Sequence, residues 1–231
     1  MTTARASATL ADQATSALRA ASLAGALTAP ATLIVILAVA LLLLMTPIWT
    51  HFAITTSGGT GAVATPELAF QLSDRTVAEL LLGPGTFSDY AADEAGHMRD
   101  VRFVLYGFLA LAAASAALLA WRIRGAPTDP RTWLSIARGG ATLAVILIAL
   151  GVVAALAFGV AFELFHRILF PGGNWAFAAD SLLIRLYPYA FWQLSAAALG
   201  GLGVVGGLLV WFLARRRAQS LAGGATPGST P

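Results

Sequence analysis

The chain has 231 residues, 58% of them hydrophobic and 11% charged, whereas a soluble domain carries about a quarter charged residues. That composition excludes an ordinary water-soluble domain and makes lipid the main solvent. The formal charge is +3, all 14 basic residues are arginine, and there is no cysteine, which excludes both a disulfide framework and a thiol nucleophile.

Residues 1–29, rich in Ala, Ser and Thr, are read as a cytoplasmic segment. A membrane-crossing helix needs roughly 20 mostly apolar residues. Four stretches meet that need: Ala31 to Trp49, Val101 to Trp121, Ala141 to Phe162, and Tyr189 to Ala214. The first starts too late for a cleavable signal sequence, and Met45-Thr46-Pro47 stands where a small-residue cleavage site belongs. Residues 30–214 therefore form an all-α membrane domain of four transmembrane helices. They include an extracytoplasmic cap over residues 50–100 and an outer loop over 163–188. Residues 215–231 read as a cytoplasmic tail, disordered from Ala218.

Arginine placement sets the direction of the spans. Nine arginines flank the N-terminus, the loop between spans two and three, and the end of span four, against only Asp12 and Asp129, a balance of +7. The other side holds five arginines against nine acids, a balance of −4. Both termini are thus expected in the cytoplasm of a bacterial cell membrane. Gly151, Ala155 and Gly159 in span three, and Gly203 and Gly207 near Gly200 in span four, are expected to pack the bundle.

The first outer loop is too long for a simple connector. Thr55 to Thr65 reads as flexible. Ser73 is expected to cap a short helix to Leu82, which Gly83-Pro84-Gly85 ends. Ser88 is expected to cap a second helix that runs into span two, where Arg102 reaches toward the headgroups.

His97 lies four residues before span two and His166 four residues after span three. At about 1.5 Å rise per residue, each ring stands roughly 6 Å above its span. Antiparallel neighbours then place both imidazoles in one layer. Such a pair can move protons near neutral pH. Asp93, Glu94 and Asp100 fall within one turn of His97, and each is a candidate to orient it. His51, just after Trp49, reads as an interfacial anchor. Two other readings stay open. One is a non-enzymatic membrane scaffold whose histidines only cap helices. The other is a metal-dependent hydrolase using His97, His166 and one or two of Asp93, Asp100 and Glu163. There is no Gly-x-Ser-x-Gly elbow or phosphate loop, and no charge deep in a span to mark an ion channel, pump or proton relay.

His97-Met98-Arg99-Asp100-Val101-Arg102 resembles one signature of the lipoprotein intramolecular transacylase family. Phe165-His166, Phe170 and Asn174-Trp175, followed by Asp180, Leu183-Ile184 and Tyr187-Pro188, resemble its second signature. The resemblance covers roughly residues 30 to 214. It implies a membrane acyltransferase that moves the sn-2 acyl chain of a diacylglyceryl lipoprotein onto the α-amine of that lipoprotein's own N-terminal cysteine. It implies His97 and His166 as the catalytic pair. On that basis Asp100 would orient His97, Asn174 would donate to the oxyanion, and Asp180 would support the site. Phe165, Trp175 and Tyr187 would crowd the substrate. The expected partners are the diacylated lipoprotein and membrane lipids, with no cofactor and no nucleic acid.

Overall fold

The computed structural model describes residues 2–223 in backbone and, Ala62 apart, side chains from Leu23 onward. Among these residues the structure is entirely helical: α1 (Thr2–Leu44), α2 (Pro47–Ser57), a 3₁₀ turn (Gly59–Ala62), α3 (Pro66–Leu81), α4 (Ala92–Gly125), α5 (Pro130–Leu169), α6 (Leu182–Leu186) and α7 (Tyr189–Gly223). Leu23–Leu44 of α1, together with α4, α5 and α7, are long and apolar enough to cross a membrane. Their outward leucines, valines and phenylalanines are exposed because lipid is their solvent.

Local chemistry explains the boundaries. Pro47 at the start of α2 forbids continuation of α1, so Trp49 belongs to α2 and not to the first span. Thr65, not Ser73, caps the cap helix α3: its side chain accepts from the Leu68 N–H, and Pro66 takes the first helical position. Residues 55–65, expected to be flexible, hold the end of α2 and the 3₁₀ turn. Ser88 caps nothing. α4 starts at Ala92, and the Glu94 carboxylate accepts the Ala91 N–H at 2.9 Å. Asp129 caps α5 through the Arg131 N–H. Ala157 leaves helical geometry and kinks α5 nine residues before His166. α7 runs on to Gly223, past the expected start of a loose tail at Ala218. The remainder of that tail, residues 224–231, lies outside the described residues.

Packing in the bundle uses close backbone approach at Gly207, as expected, and also at Gly139 and Gly140, which were not expected. A Cβ on Gly139 would meet the Ala29 carbonyl, and one on Gly140 the Gly207 carbonyl. A Cβ on Gly207 would stand 2.6 Å from the Gly140 oxygen. Gly151 and Gly200 face open space. α5 and α7 form the most extensive helix pair, whereas α4 and α5 barely touch. Ile136, Ala137 and Ala214 pack with Ile123 and Trp211, so the arginine-rich ends of α4, α5 and α7 share one end of the bundle.

The opposite end carries the cap, built from α2, the 3₁₀ turn, α3, α6 and their loops. Its core joins Ile54, Leu72, Phe87 and Leu186 to Met98 and Leu105 of α4. Gly59 is needed where the chain passes under the Leu186 carbonyl, which a Cβ would strike. Arg102 does not reach outward to lipid. It turns up into the cap, donating to the Gly83 carbonyl at 2.6 Å and to the Tyr106 hydroxyl at 2.7 Å.

Candidate active site

The first turns of α4 carry Asp93, Glu94, Arg99 and Asp100, so this stretch stands above the apolar part of the span. His97 sits on it, buried. His166 sits on the last turns of α5, also buried. The two ring centroids are 6.2 Å apart with 30° between planes. The offsets read from the span edges therefore do bring the rings into one layer.

Aromatic side chains fix this spacing. Phe170 lies edge-on to His97 at 4.8 Å and 5.8 Å from His166, wedged against both. Phe177 approaches His97 at 5.6 Å, and Trp175 lies over His166 at 5.0 Å. Phe165 touches His166 edge-on at 5.3 Å but is largely exposed. Phe170 and Phe177 were not singled out in the sequence for this role. In so apolar a chain one more phenylalanine carries no contrast, and only the spacing from Phe165-His166 pointed at Phe170.

The hydrogen bonds define what each imidazole can do. His166 Nδ1 lies 2.8 Å from the Phe162 carbonyl. A carbonyl only accepts, so Nδ1 carries the proton and Nε2 of the neutral ring presents its lone pair. His97 Nδ1 is buried without a partner. Burial, first, and the adjacent His166, second, lower the His97 pKa to about 4, with Asp100 opposing the shift. His97 is thus neutral at physiological pH and a weak proton acceptor.

The acids near His97 have other partners. Glu94 is buried and accepts from the Leu183 N–H at 2.7 Å as well as from Ala91, which ties the start of α6 to the start of α4. Asp100 makes no hydrogen bond to His97 and acts on it only through its charge. It accepts instead from Asn174 Nδ2. One of the two Asn174 N–H donors is thereby committed to a carboxylate.

Asp180 is exposed. Tyr187 is buried in the cap core, away from the imidazoles: its hydroxyl donates to Ser73 at 3.3 Å, and its ring packs on Phe191. A phenol with its polar end satisfied inside the cap holds α3 to the second loop. Glu163 pairs with Arg167, Asp93 is exposed, and no three potential ligands converge among the described residues. His51 is more than an anchor. It pairs with Asp74 at 2.8 Å and stacks on Phe70, joining α2 to α3.

Beside the pair, a groove of about 200 Å³ opens between α4 and the end of α5. Phe103, Val104, Leu169 and Phe170 form its walls, and Asp100 with Asn174 forms its polar rim.

The same architecture occurs in solved proteins. The membrane-integral lipoprotein intramolecular transacylase Lit from Bacillus cereus superposes with a TM-score of 0.77 at 20% identity, over 86% of this chain and 95% of that one. A histidine-to-arginine variant of it gives 0.72 at 18% identity, over 92% and 98%. An uncharacterised protein of Aquifex aeolicus is 31% identical over 136 residues, which are 58% of this chain and 59% of that protein's length. A family model described as lipoprotein intramolecular transacylase Lit matches residues 69–192, a stretch from the cap helix through both histidines to the start of α7. That match takes in more than half of the sequence and the whole of the site, and the chain belongs to the lipoprotein intramolecular transacylase (Lit) family.

Proposed function

We propose that this protein is a membrane acyltransferase that moves the sn-2 acyl chain of a diacylglyceryl lipoprotein to the α-amine of the same lipoprotein's N-terminal cysteine. The observation that carries the reading is a pair of buried imidazoles 6.2 Å apart, with opposite proton roles available to them. The substrate brings its own nucleophile, ester and leaving group. The protein need only position them and transfer protons.

The amine attacks the ester carbonyl, and His166 Nε2 takes the amine proton. The new C–N bond forms as the C–O bond to the glyceryl oxygen breaks. That oxygen receives the proton His166 took from the amine, leaving an N-acyl cysteine, a free secondary hydroxyl and His166 as it began. His97, a poor base, serves as the N–H donor to the developing oxyanion and leaving oxygen. Trp175 and Phe165 crowd the acyl and glyceryl groups. The arginine-rich end faces the cytoplasm, by the positive-inside rule, so both termini lie inside and the histidines lie at the extracytoplasmic face.

The test reconstitutes the protein with a synthetic diacylglyceryl-cysteine lipopeptide. Transfer conserves mass, so fragment ions must locate the acyl chain on the amine or on the glycerol. His97→Asn and His166→Asn should each reduce turnover roughly 100- to 10,000-fold while keeping the wild-type unfolding temperature near neutral pH. A scaffold would leave the acyl chain on glycerol in every sample, and full activity in either variant would end the two-histidine mechanism.

A further inference from the structure

We infer that Asp100 and Asn174 bind the α-ammonium of the substrate's N-terminal cysteine, at the polar rim of the groove between α4 and α5. The identity of the ammonium rests on the transacylase reading; the site itself rests on four features of this chain.

First, Asp100 is exposed and has no cation. The ion pairs among the described residues are His51–Asp74, Arg75–Asp89 and Arg167–Glu163. Arg102, two residues on, is engaged by Gly83 and Tyr106. Second, a carboxylate only accepts, so Asn174 donates through Nδ2 and keeps its carbonyl oxygen unused. The rim therefore offers carboxylate and amide oxygens side by side. That arrangement suits an N–H cation and repels an oxyanion. Third, below the polar rim the groove presents the apolar side chains of Phe103, Val104, Leu169 and Phe170, with Phe103 82% exposed. Such walls fit the first carbons of a lipid, not a hydrated ion. Fourth, Asp100 lies one helical turn from His97, on the same face of α4. Phe170, one of the walls, touches both imidazoles.

An α-amino group has a pKa near 7.7 to 8.0 and arrives mostly as the ammonium at neutral pH. Asp100 then selects the protonated amine and holds it at the groove whose Phe170 wall touches both imidazoles; the ammonium's first proton leaves to solvent, and His166 takes the second as the C–N bond forms. Asp100 is a binding residue for the nucleophile, not an orienter of His97.

The experiment measures binding and turnover of two lipopeptides that differ only in a free or an N-acetylated cysteine. Wild type, Asp100→Asn and Asp100→Glu are compared in phosphatidylglycerol vesicles and again in phosphatidylethanolamine vesicles. Wild type should bind the free amine roughly 10- to 100-fold tighter than the acetylated form. Asp100→Asn should erase that preference, and Asp100→Glu should keep part of it. Equal binding of the two lipopeptides by wild type overturns the inference, whatever the variants do. So does a preference that survives in Asp100→Asn. Loss of the wild-type preference in phosphatidylethanolamine assigns the site to lipid headgroup amines instead, which also overturns it. Selective binding with no acyl transfer keeps the site and removes the transacylase reading; transfer without selectivity does the reverse.

Discussion

His97 offers a direct physical check on the site. The residue is 6% exposed, and its Nδ1 has no hydrogen-bond partner. Burial and the facing imidazole bring its pKa to about 4, against about 6.5 for a histidine in the unfolded chain. Between those values the unfolded chain binds a proton that the folded protein refuses. Stability is therefore full above about pH 6.5 and declines as pH falls toward 4. Integrated from pH 7.5 to pH 4.5, the loss attributable to this one group is about 2.5 kcal/mol. The assay is denaturant or thermal unfolding in detergent at both pH values, for wild type and for His97→Asn. Other groups titrate over the same range, so the readout is the extra loss in wild type relative to the variant. Ring-nitrogen NMR supplies the midpoint independently. Equal pH losses in the two proteins, or a midpoint at 6.5 or above, would refute the picture of a dry, neutral His97.

Two further substitutions probe what holds the site together. Glu94→Ala leaves the Ala91 and Leu183 N–H groups bare inside the cap and should cost about 3 to 5 kcal/mol, whereas Glu94→Gln keeps an acceptor and should cost about half of that; thermal unfolding with proteolysis of residues 170–181 checks both. Gly207→Leu should destabilise the bundle by about 1 to 3 kcal/mol or more, because its Cβ meets the Gly140 oxygen at 2.6 Å. Gly200→Leu, with open space around it, should leave the unfolding temperature unchanged.

The spans were legible because lipid imposes a crude rule, about 20 apolar residues in a row, that needs no knowledge of partners. The histidine layer was legible for the same reason, since both rings were located relative to span edges. Reading failed where a side chain's partner lies far away in sequence. Ser73 has the chemistry of a helix cap, yet it is buried mid-helix under Tyr187, 114 residues on. Tyr187 sits beside the second signature and reads as part of a substrate wall, but its hydroxyl finds its partner in the cap. Glu94 stands at the right spacing to orient His97. Its carboxylate is instead taken by the backbone of α6, 89 residues away. Gly151 has the periodicity of a packing face but meets nothing, while Gly139 and Gly140 sit as an adjacent pair that no periodic search favours.

The two imidazoles stand on α4 and α5, which barely touch. A tight α4–α5 seam would fix the ring spacing by itself, but it would also close the groove that opens beside the pair. The fold separates these two demands. The helices are joined at the arginine-rich end and left apart beneath the cap. The spacing of the rings is set from above, by Phe170 between them, by Glu94 holding α6 to the start of α4, and by Asn174 linking the second loop to Asp100. On this account the cap is the frame that keeps two loosely associated helix ends, and the imidazoles they carry, in register. Loosening its ties should then widen the separation of His97 and His166 before it melts the bundle.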